Sequence, residues 1–272
     1  MNASFSASLV EGACQVLACA EPQQKARAVL ALAQEWQQGI VSLGSLSGAP
    51  SIPDKPARPA RPILLHPRDM PRRTFKGPRG RFALLHALTH IELNAIDLAV
   101  DIAGRFADQN LPRAFFDDWM SVAGDEARHF LMLQTRLAEL GGSYGDLPAH
   151  DSLWQAAEES RHDLLVRLAI VPLVLEARGL DVTPAMISKL EAAGDEISAG
   201  LLRVILEEEE RHVRIGMKWF RHVCQLRSAA PHDTFHCLVR KHFRGALKPP
   251  FNEEARKSAG METAFYHPLI KE

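Results

Sequence analysis

The stretch FFDDWMSVAGDEARHFLML, residues 115–133, sets two polar groups on an otherwise apolar helical face. Phe115, Trp119, Val122, Phe130 and Leu133 recur at steps of three and four, and Leu137 and Leu140 continue the stripe. Only Glu126 and His129 break it. An uncompensated carboxylate on a buried face is costly, so its presence there calls for a partner.

Three further helices repeat the pattern. A helix over about 82–106 has a stripe at 85, 88, 92, 95, 96, 99, 102, 103 and 106, in which Glu92 alone is polar. A third helix brings Leu165, Leu168, Ala169, Pro172 and Leu173 up to Glu176. A fourth, over about 195–227, brings Leu202 and Ile205 up to Glu209 and His212, followed by Gly216, Trp219, Phe220 and Val223. A Glu and a His three apart lie on one helical face and can reach one ion. Four carboxylates carry four negative charges, which two divalent cations balance. One Glu from each of two helices, with Glu-x-x-His from each of two others, is the donor pattern of ferritin-like di-iron and di-manganese proteins. The expected ligands are therefore Glu92, Glu126, His129, Glu176, Glu209 and His212. The competing expectation is a metal-free bundle whose buried acids pair with Arg128, Arg178 and Arg211.

Spacing supports the first expectation. Glu92 and Glu126 are 34 residues apart, and Glu176 and Glu209 are 33 apart. The midpoint of each pair falls in a turn, near 109 and near 192–193, so the halves read as a pseudo-repeat. The second helix, about 113–140, ends at Gly141-Gly142. For the third helix to run parallel to it, the chain must climb back over roughly 57 Å, which twelve linking residues cannot span. This predicts a short crossover helix over 151–159, a break near Glu159–Arg161, and a third helix starting near 161. That helix is expected to end near Gly179, with Thr183-Pro184 starting a short helix to about 193.

Glu207 to Glu210 form a run, and only Glu209 combines the step to His212 with the apolar register. Asp125 and Glu208 each stand four residues before a ligand histidine and could hydrogen-bond its free ring nitrogen. His86 and His90 are four apart and could bind a metal together, but His90 faces away from Glu92 and both are left out of the site. Tyr144 and Tyr266 are the only tyrosines, and neither is near a ligand in sequence.

The 272 residues are 46% apolar and carry a net charge of −1, so no overall field selects nucleic acid or membrane. Four cysteines form no Cys-x-x-Cys pair and read as reduced, buried residues. No apolar run reaches the roughly 18 residues of a membrane span, and the N-terminus lacks the basic start of an export signal. A cytoplasmic protein is expected, as a monomer or small homo-oligomer. Residues 4–19 and 22–39 read as helices. Seven of the 17 prolines fall between Pro50 and Pro71, so 44–81 reads as an extended linker. It is basic over 55–81, through Lys55, Arg58, Arg61, Arg68, Arg72, Arg73, Lys76, Arg79 and Arg81. A solvated strap is favoured over a contact for RNA, because no aromatic residues interleave with the charges. The expected division is 1–43, an N-terminal helical extension; 44–81, the linker; 82–227, the bundle; and 228–272, a C-terminal extension packed on the bundle, with a short helix over about 232–244 and a polar tail.

His90-Ile-Glu-Leu-Asn-Ala-Ile-Asp-Leu-Ala99, Asp125-Glu-Ala-Arg-His129 and Leu175-Glu-Ala-Arg-Gly-Leu-Asp181 resemble an uncharacterised bacterial family of the ferritin-like superfamily. Gly145-Asp-Leu-Pro-Ala-His-Asp-Ser-Leu-Trp154 and Pro250-Phe-Asn-Glu-Glu-Ala-Arg256 fit it too, so the likeness covers most of 80–265 and the N-terminal helices. It implies an all-α, ferritin-like four-helix bundle with the Glu and Glu-x-x-His metal pattern, and no particular reaction. A more distant likeness is to the tRNA isopentenyladenosine hydroxylase family, which uses the same ligand scheme for oxygen-dependent hydroxylation. Glu209-Glu-Arg-His212 departs from the small and apolar neighbours expected there, but keeps the ligand positions. The expected cofactor is two iron ions, with manganese as the alternative, since carboxylate and imidazole without thiolate suit both. The expected function is an O2-dependent oxidase or hydroxylase acting on an unknown small or tRNA-linked substrate. A ferroxidase without organic substrate and a metal-free partner-binding bundle are the alternatives.

Overall fold

A computed structural model describes residues 8–46, 51–71 and 77–270. Among them the secondary structure is helical, with isolated bridges such as Leu64 to Ala149 and no strands. The all-α expectation holds. The chain divides into two compact units, Met1–Trp154 and Gln155–Glu272.

In the first unit, α1 (Leu9–Ala18) starts where the Ser8 hydroxyl accepts the Glu11 amide at 3.3 Å. The part of this helix expected over residues 4–7 lies outside the described residues. Pro22 opens α2 (Pro22–Gln37), and the Glu21 carboxylate caps it by accepting the Gln23 and Gln24 amides. α3 (Gly77–Arg105) begins a turn and more before the expected 82. α4 (Arg113–Glu139) follows Pro112. α3 and α4 pack as a helical hairpin, with α1 against α3 and α2 against α4. Gly104 permits the first of these approaches, since a Cβ there would lie 2.8 Å from Ala13 Cβ.

The Pro-rich segment is extended over most of 51–71, as expected, with a single 3-10 turn at Pro67–Asp69. It is tied down by backbone. Ala57 N donates to Leu17 O at 2.7 Å, Leu65 N donates to Ala149 O at 2.8 Å, and Arg105 donates to Pro53 O at 2.8 Å. Trp154 Nε1 donates to Asp54 O at 3.1 Å. Arg58 departs from the solvated-strap expectation. Its guanidinium pairs with buried Asp97 and donates to Asn94 Oδ1 at 2.6 Å. Asp97 also takes Lys25 at 2.6 Å, and Lys25 is 1% exposed. The basic positions Arg72, Arg73 and Lys76 lie outside the described residues.

By length and average composition α3 could cross a membrane, although charged residues interrupt its apolar run, and 83% of its apolar window is buried inside the protein. Buried Glu92, Asp97 and Asp101 also lie along it. It is a core helix.

α5 (Ser152–Glu159) is the expected short helix, and the chain breaks after it at 160–163. Arg167, 1% exposed, closes this break by donating to Ala157 O at 2.6 Å and Ser160 Oγ at 2.8 Å. In the second unit, Asp163 caps α6 (Leu164–Ile170) by accepting the Leu165 amide at 2.8 Å.

From here the expectation of one plain helix ending near Gly179 fails. Residues Val171–Glu176 form a π-helical turn in which the Ala177 amide reaches back five residues to Pro172 O. Pro172 has no amide hydrogen for the α ladder and its ring crowds the preceding carbonyls, so the turn widens. α7 (Ala177–Ala192) then runs straight through Gly179 and Pro184. Pro184 cannot satisfy Leu180 O, and Asn252 Nδ2 does so at 3.2 Å. A contact from 72 residues away therefore keeps proline inside the helix.

α8 (Glu196–Leu226) is capped by Asp195, which accepts the Ser198 amide at 3.1 Å, and packs against α6, the π turn and α7. α9 (Pro231–His242), α10 (Glu253–Ser258) and α11 (Thr263–Tyr266) complete the unit. The expected polar tail is thus partly core. Arg256 is 2% exposed, binds Asp181 through two nitrogens at 2.8 and 2.7 Å, and sits 4.6 Å above the Tyr266 ring.

Candidate metal centre

Within the first unit, α3 supplies Glu92 and α4 supplies Glu126 and His129. His129 Nδ1 lies 3.3 Å from Glu92 Oε2 and 3.4 Å from Glu126 Oε2. The three residues each offer a ligand atom within 4.8 Å of the others, and all are buried. Long α3 and α4 side by side carry the two acids into the same interior, as the apolar stripes required.

The electrostatics are those of a crowded acid pair. Burial, then the neighbouring Glu126 charge, pushes the Glu92 carboxyl well above the usual range. Burial alone would lower His129, but hydrogen bonds to Glu126 and Glu92 outweigh it and raise the ring to about 11. Without a cation, the raised Glu92 and His129 favour protons shared among the three groups. A cation at the same place would displace those protons. Two carboxylates and one imidazole, buried and convergent, suit a hard or borderline divalent ion. This group could hold a metal ion.

In the second unit, Glu209 and His212 share one face of α8, with His212 Nδ1 3.6 Å from Glu209 Oε2. His212 is fully buried. Of the other acids in the run, Glu207 is exposed, and Glu210 binds Arg214 at 2.7 Å and the Ser258 hydroxyl. Glu209 is thus the member that approaches a buried histidine. Glu176 ends the π turn and is half-buried.

Asp125 pairs with Arg128, one turn on, and Glu208 is half-buried on α8. Arg178 donates to Lys248 O at 2.8 Å and lies 3.4 Å from Asp181. Arg128 and Arg178 therefore have acids of their own outside the six expected ligands, which weakens the metal-free expectation for both.

His86 and His90 face the loop after α4. Gly145 N donates to His86 Nε2 at 2.9 Å, and His90 Nδ1 is hydrogen-bonded to the Tyr144 hydroxyl at 2.8 Å. Burial, then Arg58, lowers His90 to about 3, so the ring is neutral. Sequence distance was misleading for Tyr144, whose ring also meets Phe130 edge-on at 5.8 Å, next in sequence to His129. Sequence reasoning also missed the Lys25–Asp97–Arg58 cluster. Its only signal was an acid, Asp97, one turn from another acid, Asp101, on a helix buried nearly all round.

Helices without strands, with a buried acid–imidazole cluster inside, define an all-α protein with a candidate metal centre. The chain belongs to the family described as "Protein of unknown function (DUF455)", whose model matches residues 18–267. A protein of Haemophilus influenzae, named only as uncharacterized, is 40% identical over 203 residues, covering 73% of this chain and 70% of that one. No solved structure matches the chain.

Proposed function

We propose that the protein is a dinuclear metal carboxylate protein, with iron as the metal and manganese as the alternative. In this reading residues 82–227 act as one ferritin-like bundle. Glu92, Glu126 and His129 from the first unit join Glu176, Glu209 and His212 from the second around two ions. The observation that carries it is the buried Glu92–Glu126–His129 cluster, whose two acids and one imidazole suit a hard cation. The Glu209–His212 pair, with the same three-residue step, supports a matching second half. Two reduced iron ions, if held there, would supply electrons for O2 activation. The chain's residues would hold the ions with carboxylates and exclude bulk water by burial, and His129 would give up its proton on loading. The reaction class we assign is oxidation or hydroxylation of an organic substrate.

The test is metal analysis of the purified protein with and without Glu126→Ala. Two ions per chain, falling to one or none in the variant, is the expected result. Well under one ion per chain, with no effect of the substitution, would return the protein to the metal-free partner-binding class. Iron oxidation that accumulates ferric mineral, with no organic product, would assign it to the ferroxidases.

A further inference from the structure

In the second unit, α8 and the π turn approach closely at Gly216. A Cβ built on Gly216 of α8 would lie 2.6 Å from Pro172 Cβ and 2.9 Å from Pro172 Cγ. The proline ring is rigid, so this contact leaves no side chain that could turn aside. α8 follows α7 through the short turn at Ala193–Asp195, so the two arms of this helical hairpin run in opposite directions. Pro172 with Gly216 and Glu176 with His212 are each symmetric about residue 194, in that turn. One turn along from the tight contact on one arm, and one turn back on the other, brings Glu176 and His212 to the same level.

The π turn fixes the remaining variable, the angle. It inserts one residue relative to an α-helix, which rotates the succeeding residues by about 100°. Ala177 consequently takes the fully buried position, and Glu176 stands on its flank, half-buried. Height and angle of Glu176 thus trace to two residues that carry no ligand atom.

We propose that Pro172 and Gly216 are positioning residues for the metal centre, setting Glu176 level with His212. Pro172 imposes the π turn, and Gly216 lets the ring seat against α8. This inference rests on the dinuclear reading above and deepens it.

The experiment is titration of the metal-free full-length protein with Co(II), reading the number of ions bound and their affinities. Gly216→Ala and Pro172→Ala are compared with Gly200→Ala, a matched substitution on the same helix where nothing lies within 4 Å of the new methyl. Wild type and Gly200→Ala are expected to bind two ions alike. Gly216→Ala and Pro172→Ala are expected to weaken the second ion by about 10–100-fold, the usual effect of losing a group that orients a ligand. The first ion, held by Glu92, Glu126 and His129, stays near wild type. If Gly216→Ala does not fold, Pro172→Ala decides, since it restores an amide and a good helix former. Two ions bound normally by a folded Pro172→Ala, or by a folded Gly216→Ala, overturns the positioning role while leaving the dinuclear reading intact. Wild type binding no Co(II) overturns the reading beneath it.

Discussion

Asp97 accepts two cations, Lys25 and Arg58, where its own side chain has no exposure. Removing it leaves both cations without their main anion, although Asp151 lies 3.7 Å from Arg58. Breaking a buried pair by deleting one partner costs about 3–5 kcal/mol, so Asp97→Ala is expected to lower the urea-unfolding free energy by that amount. A change under half of it would show that the cluster is only weakly coupled to folding. The two tyrosines give a second prediction. Burial raises both Tyr144 and Tyr266. A group with a raised folded pKa stabilises fully below its unfolded value, about 10 for tyrosine, and loses that contribution as pH climbs through the folded value. Phenolate absorbance should therefore stay low past pH 10 and rise together with loss of helical circular dichroism. Phenolate appearing near pH 10 in a still-helical protein would contradict this. Glu126 and His129 were legible because they violate an apolar stripe. Lys25 was not, because it sits among Gln23, Gln24 and Arg27, where a charge is ordinary.

At the scale of elements, α5 ends on a carbonyl that the side chain of Arg167 satisfies. Arg167→Ala would remove that charged donor, leaving Ala157 O to the Ser160 amide and hydroxyl at 3.2 Å each, and is expected to cost about 1.5–3 kcal/mol, the worth of a hydrogen bond to a charged group. Hydrogen exchange over 156–163 should accelerate in that variant well beyond the rest of the second unit. Uniform acceleration would mean that the break is not held locally. The break itself was legible, since chain length and rise per residue require it. The path through Pro172 and Pro184 was not. Local propensity stops a helix at such residues, and two distant features override it here. Gly216 makes room for one ring, and Asn252 accepts the duty of the amide that Pro184 lacks. Both partners lie more than 40 residues away, beyond the reach of periodicity.

For the molecule as a whole, composition marks linkers and contacts mark units, and the two differ in what they detect. The Pro-rich segment reads as a linker by composition, yet Arg58 and Trp154 fasten its length to the first unit. The proposed centre draws three ligands from each unit, so metal should stabilise both together. Free ion at 100 times its Kd adds about 2.7 kcal/mol. In calorimetry, all unfolding heat should move to higher temperature on loading. Movement of only part of it would assign the metal to one unit alone.

Asn252 and Arg256 also bear on how the protein is made. A ribosome delivers the chain from the N-terminus, and folding units assemble as they emerge. Residues 1–154, with Glu92, Glu126 and His129, can settle while the remainder is still being translated. α7 cannot, because the groups that complete it at Leu180 and Asp181 are made about seventy residues later. α7, which follows directly on Glu176, is therefore completed only when synthesis has all but finished. If the proposed centre forms, its first three ligands are synthesised well before the groups that complete α7, and an ion would meet Glu92, Glu126 and His129 first.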